Sequence, residues 1–229
     1  MKKSEKKEEN TMETEVKEIE KSLFALKFYP VAVNEDSKNE ALEKLEKTYK
    51  NGSETVRQLL LYMIHGQLAQ AIEMKMLHTY EYFKMKNPSL DSAQLRMNVY
   101  RSLFNYNTSI EGITELIRFL GKLKGSDDAA KLLTYYYARF CAHENETNRM
   151  LRAAVIEALG KSESQYALRV LLDYAKYNDN ETMINRIVGA LIEWEEKLDS
   201  LNISAKEKKK LKTKLKEFIT REGKASHYG

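Results

Sequence analysis

Apolar residues recur along this chain at intervals of three and four with charged residues between them, the spacing that brings side chains to one face of an α-helix. Val16, Ile19, Leu23 and Leu26 form the first stripe. It must end before Pro30, because the residue preceding a proline is pushed out of the helical region. Ser37 with Glu40 reads as a capping box opening a short helix from Lys38 to Tyr49, closed by Asn51 and Gly52. Ser53 begins the longest predicted helix, towards Lys86, with Val56, Leu59, Leu60, Met63, Ile64, Leu68, Ile72, Met76 and Leu77 on its apolar side. A bend is expected near Gly66. Asn87, Pro88 and Ser89 break the pattern, and Asp91 with Gln94 opens the next helix, up to Tyr106.

The second half is more regular. Thr108 and Glu111 signal a helix that buries Ile113, Leu116, Ile117 and Leu120 and closes at Gly121 and Gly125; Ser126 and Asp127 begin the next, through Leu133, Tyr136, Phe140 and Cys141. From Thr147 to Trp194 one helical phrase returns. NRMLRAAVIEALG and INRIVGALIEW align, with Val155, Ile156, Ala158 and Leu159 in step with Ile187, Val188, Ala190 and Leu191. Between them lies SQYALRVLLDYAKY, starting at Ser164. A longer-range alignment sets Arg96, Val99 and Leu103 against Arg152, Val155 and Leu159, and Ile113, Leu116, Ile117 and Leu120 against Leu168, Leu171, Leu172 and Ala175. Short helices joined by short turns pack as antiparallel neighbours, and repeated pairs stack on one another.

The segment LRAAVIEALGKSESQYALRVLLDYA, with its alanine-rich first helix, its Ala-Leu-Gly ending and its second helix of the Leu-x-x-Leu-Leu kind, resembles a HEAT repeat. The resemblance covers 147–194, fades over 91–123 and is absent before Ser53. It implies an all-α, right-handed solenoid of antiparallel helix pairs with a less regular helical section before it. Residues 1–10 are expected as a disordered charged tail, 11–52 as the N-terminal helical section, 53–222 as the repeat domain, and 223–229 as a flexible end. The function the resemblance implies is a non-catalytic scaffold or adaptor for a protein or peptide partner, since the architecture serves many unrelated activities.

Composition agrees with helices: 2 prolines and 9 glycines in 229 residues, 42% hydrophobic and 31% charged, which is too apolar for a disordered chain. The formal net charge of +4 is uneven. Residues 201–229 hold 9 basic against 3 acidic side chains, so the rest is slightly acidic. The single cysteine, Cys141, cannot close an intramolecular disulfide, there is no apolar leader after MKKSEKKEEN, and no apolar run reaches spanning length. The expectation is a cytoplasmic protein with no membrane partner. Five Asn-x-Ser/Thr triplets, at Asn51, Asn107, Asn145, Asn180 and Asn202, read as polar chemistry at helix ends.

Candidate chemistry is sparse. ALGKS at 158–162 ends like a phosphate-binding loop but has Val155 where that loop needs glycine, so Gly160 is expected as a helix C-cap. His143 and Glu144 make one His-Glu pair; neither a metal site, a cofactor nor a catalytic set can be assembled, and no enzyme is expected. Cys141 is expected buried and inert. Tyr135, Tyr136 and Tyr137, followed by Arg139 and Phe140, span too wide an arc for one buried face. Tyr136 and Phe140 suit a core, while Tyr135, Tyr137 and Arg139 are the candidate partner contacts, tyrosine and arginine being enriched in binding hot spots. Tyr80, Tyr82 and Phe83 pose the same question, and Trp194 is expected to anchor the last helix. Residues 204–221 form an amphipathic helix, with Leu211, Leu215, Phe218 and Ile219 inward. It is either a lysine-rich cap or a nucleic-acid ridge using Lys208, Lys209, Lys210, Lys212 and Lys216.

Overall fold

The computed structural model describes residues 2–77, 89, 109–142, 144–177, 180–200 and 204–225. The helix expected over 91–106, the aromatic group at 80–83, His78, His143 and the distal part of the longest helix lie outside them. Every regular element among the described residues is helical, and none of these helices is long and apolar enough to cross a membrane. The chain divides into two compact units, Met1–Leu116 and Ile117–Gly229.

In the first unit, α1 (Lys2–Phe28), α2 (Glu35–Asn51) and α3 (Glu54–Leu77) pack on one another pairwise. Their core includes Ile19, Leu23 and Leu26, then Ala41, Leu42 and Leu45, then Val56, Leu60, Ile64 and Leu68, each set falling on one face of its helix. α3 therefore belongs with the N-terminal helices, although Ser53 was expected to open the repeat domain. Among the described residues α3 packs on α1 and α2, and the Gln67 amide donates to the Leu23 carbonyl at 3.1 Å. α1 runs back through the segment expected as a disordered tail, whose lysines and glutamates are strong helix formers. The cap of α2 is Asn34, whose Oδ1 accepts from the Ser37 amide at 2.9 Å, so Ser37 lies inside the helix. The Lys38 amine is buried beside Glu35, the Tyr29 ring and, at 3.8 Å, Glu115; the Tyr29 hydroxyl donates to Glu35 at 2.6 Å. α3 continues as helix through Gly66.

The second unit takes up the end of α4 (Ile110–Lys122), then α5 (Asp127–Cys141), α6 (Glu146–Lys161), α7 (Gln165–Tyr177), α8 (Glu181–Lys197), a turn of 3₁₀-helix at Leu198–Ser200, and α9 (Ala205–Ala225). From α5 onward each helix contacts its successor, and α5 also contacts α7 as α6 contacts α8. Caps mark every start: Ser109, Ser126, Asn145, Ser164, Asn180 and Ser204 each accept an amide N–H three residues on. Four of the five Asn-x-Ser/Thr triplets supply such a cap here, and Ser53 in the fifth does the same for α3.

Two close approaches set the order of stacking. A Cβ on Gly121 in α4 would lie 2.7 Å from the Cα and carbonyl oxygen of Ala158 in α6, and one on Gly160 would lie 2.9 Å from the Ala190 Cβ in α8. Gly160 is thus a contact between helices, and the α6 cap is Ser162. The chain returns to register once after 38 or 39 residues, Leu116, Ile117, Leu120 and Gly121 matching Val155, Ile156, Leu159 and Gly160, and Ser126, Ala129, Leu133 and Tyr136 matching Ser164, Ala167, Leu171 and Tyr174; the step from α6 to α8 is 32. Leucines at helical spacing match in either parity, so α4 also aligns with α7, while the glycine contacts join α4 to α6 and α6 to α8. The turns join as well. Gly125, at φ +74°, donates its amide to Ser162 at 2.7 Å, and Ser164 Oγ donates to Asp127 at 2.5 Å. Trp194 is fully buried and donates to the Leu159 carbonyl at 3.2 Å, tying α8 to α6.

Candidate partner-binding cleft

Antiparallel packing brings the C-terminal ends of α5 and α7 beside the N-terminal ends of α6 and α8. At this end a cavity of about 400 Å³ opens between Tyr137, Cys141, Glu144, Arg152, Tyr174, Tyr177, Asn180 and Met183. A second hollow, about 280 Å³, shares Asn180 and Met183 and extends past Met150, Ala153, Arg149 and Arg186. Together they make one trough, apolar at Met183 and Met150 and edged by three arginines.

Tyr137 and Tyr174 stack with ring centroids 4.2 Å apart, forming the inner wall. Burial, reinforced by Tyr137, pushes the Tyr174 phenol well above the ordinary tyrosine range, so it remains a neutral hydroxyl group; Thr134 shares a hydrogen bond with it. Tyr177 follows one turn later and is 75% exposed, standing at the mouth with the Lys176 amine over its ring.

Arg152 is the polar centre. Its side chain is only 11% exposed, and Nη2 donates to both oxygens of Glu144, at 2.7 and 2.8 Å, while Arg149 approaches the same carboxylate at 3.5 Å. Burial works against the charge on Arg152, but hydrogen bonding to Glu144 and to the Cys141 sulfur more than offsets it, holding the guanidinium protonated. Nε is buried with no acceptor. A buried donor left unpaired costs about 1–3 kcal/mol, more for a charged group.

The sequence candidates separate in space. Tyr136 and Phe140 lie in the core as their spacing predicts, and Tyr135, 49% exposed, stands edge-on to Tyr136 at 5.2 Å. Tyr137 is only 7% exposed and belongs to the cleft wall, so it does not share an outward surface with Tyr135 and Arg139. The reason is helical geometry: residues two apart point some 200° away from each other. Cys141, expected buried, is exposed at the end of α5. Of the five candidate lysines, three are engaged within the unit: Lys208 donates to the Asp199 carbonyl at 2.8 Å, Lys212 to the Asp199 carboxylate at 2.8 and 2.9 Å, and Lys216 meets Glu195 at 3.7 Å. Lys209 and Lys210 are exposed. ALGKS forms the end of α6 and the residue after it, with Gly160 against Ala190. Arg152, Tyr174, Tyr177 and Met183 escaped the sequence reading. The one available signal was the set of polar and aromatic residues left over at the ends of helices whose middles are apolar.

No family model, no curated protein and no solved structure matches this chain.

Proposed function

We propose that the second unit is a HEAT-like, right-handed helical-repeat scaffold without catalytic activity, which holds a peptide segment of a protein partner in the trough at the α5–α8 helix ends. The observation that carries this reading is the trough itself: a stacked tyrosine wall, an exposed tyrosine at its mouth, two methionines along its length and arginines at its edge, the residue types that dominate binding hot spots. The return of one helix pair, α4 and α5, as α6 and α7 after 38 or 39 residues, close to the length of a HEAT repeat, supports the scaffold part of the reading. The engaged lysines favour α9 as the cap of the stack over a nucleic-acid ridge.

The test is selection of peptides from a displayed random library on the purified chain. Enriched peptides should lose at least tenfold in affinity with Tyr177→Ala or Met150→Ala and keep it with Tyr135→Ala and Arg139→Ala. Absence of enrichment, or binding indifferent to the first two substitutions, overturns the proposal.

A further inference from the structure

From the state of Arg152 we infer that the 400 Å³ cavity recognises a carboxylate carried next to an aromatic or other apolar group, such as an acidic residue beside a bulky side chain. This rests on the peptide-binding reading of the trough and specifies what the cavity end of it reads. A guanidinium presents Nε–H and one Nη2–H side by side, a fork that matches the two oxygens of a carboxylate. Here the fork is half used. Both Glu144 oxygens are directed to Nη2, and Nε, closed to solvent while Glu144 lies against the guanidinium of this cavity-lining residue, has no acceptor; a ligand reaches it only by taking the place of Glu144. Glu144 is mostly exposed, at 61% of its side chain, and is shared with Arg149, so it can leave Arg152 and remain solvated beside a cation. An incoming carboxylate that bridges Nε and Nη2 gains the bond that the resting state lacks.

The rest of the cavity suits the remainder of such a ligand. The Tyr137 and Tyr174 rings and Met183 form a wall for a flat or aliphatic group, and Asn180, which caps α8 with its side-chain oxygen, brings that helix's N-terminal end to the same cavity. Glu144 then acts as an internal competitor that sets how strong the external ligand must be. A monoanion fits better than a phosphate, because a single buried guanidinium faces it and Glu144 stays nearby.

The probe is 3-phenylpropanoate, a carboxylate with one aromatic ring, added at millimolar concentration to the full chain labelled with ¹⁵N, reading the arginine Nε–H resonances and assigning Arg152 by substitution. The Arg152 signal should move in a saturable way; 3-phenylpropanamide, which lacks the charge, should bind at least tenfold more weakly. Arg152→Lys retains the charge without the fork and, followed by calorimetry because the reporting resonance is gone, should bind the probe at least tenfold more weakly. Glu144→Ala, which leaves the core untouched, should tighten binding at least threefold, so the inference stays testable even if the Arg152 variant fails to fold. An unmoved Arg152 signal, an equal response to the amide, or unchanged affinity in Glu144→Ala overturns it. Stronger binding of phenyl phosphate than of the carboxylate overturns the ligand class. Library peptides that bind without moving the Arg152 signal would remove this inference and leave the peptide scaffold standing. Saturable probe binding with no peptide selected would do the reverse.

Discussion

Replacing Gly121 by alanine tests the stacking of α4 on α6 directly. The new Cβ would lie 2.7 Å from both the Cα and the carbonyl oxygen of Ala158 and 2.8 Å from its Cβ. Carbon atoms rest at about 3.5–4.0 Å, so the methyl enters roughly 1 Å inside contact, and against backbone, which cannot rotate aside. Forcing such a group into a packed interface costs about 1–3 kcal/mol, while exchanging glycine for alanine in a helix returns up to about 1 kcal/mol, less here because Gly121 stands in the last turn. The expected net loss is about 1–2 kcal/mol. Gly189 in α8 is the internal control: nothing lies within 4 Å of its Cβ position, so Gly189→Ala should stabilise by about 0.5–1 kcal/mol. Urea unfolding followed by the fluorescence of Trp194, the only tryptophan and a fully buried one in the same unit, reads both. The midpoints should move in opposite directions with unchanged slopes. A Gly121→Ala midpoint equal to or above the parent's would refute the close approach, and with it the ordering of the stack.

Lys38→Met should destabilise the first unit by about 1–2 kcal/mol, because Glu35 and the mostly buried Glu115 both lose the Lys38 contact; a Lys38→Met protein as stable as the parent in thermal unfolding would contradict this. The same network has a definite pH window. Burial lowers the Lys38 amine, but Glu35, Glu115 and Tyr29 together raise it above 10.5, so its contribution is complete below that pH and is lost as pH rises through the raised value. Glu35, held below 4.5 by hydrogen bonds from Lys38 and Tyr29, contributes above 4.5 and loses that contribution as pH falls through its depressed value; the protection of amides at the start of α2, relative to their unstructured exchange rate at the same pH, should fall at both extremes and not between. Asp199 is likewise held below 3.8 by its Lys212 hydrogen bond, so Asp199→Asn should increase proteolytic nicking within α9 at neutral pH, and the parent should reach that susceptibility only as acid protonates Asp199. Cys141 should react stoichiometrically with a chromogenic disulfide reagent in native buffer, and 3-phenylpropanoate should slow it; a thiol that reacts only in urea would contradict its exposure.

The helices of this protein were legible because their information is local. Period, caps and breakers lie within a few residues of one another, which is why Pro30, Ser126, Asn145 and Ser164 bound helices as expected. Errors came where two local signals competed, as at α2, where Asn34 captured the Ser37 amide before Ser37 could act as a cap. Within the tyrosine run, period also separated Tyr136 and Phe140 from Tyr135, but it could not tell a residue that faces water from one that faces a neighbouring helix. Tyr137 and Tyr174 are 37 positions apart and become a wall only when α5 and α7 lie side by side.

Helical identity, the lengths of the turns and the cap at each start therefore follow from the chain's own order of residues, since each depends on bonds closed within about a turn of helix. Which helix stacks on which was decided in three dimensions by the approach of Gly121 to Ala158 and Gly160 to Ala190. The grouping of α3 with α1 and α2 was decided in the same way, by where an apolar stripe found its partner. The cleft is the extreme case. Its arginine, tyrosines and methionine come from different helices, and no sequence separation relates them, because it is antiparallel packing that gathers helix ends into one place.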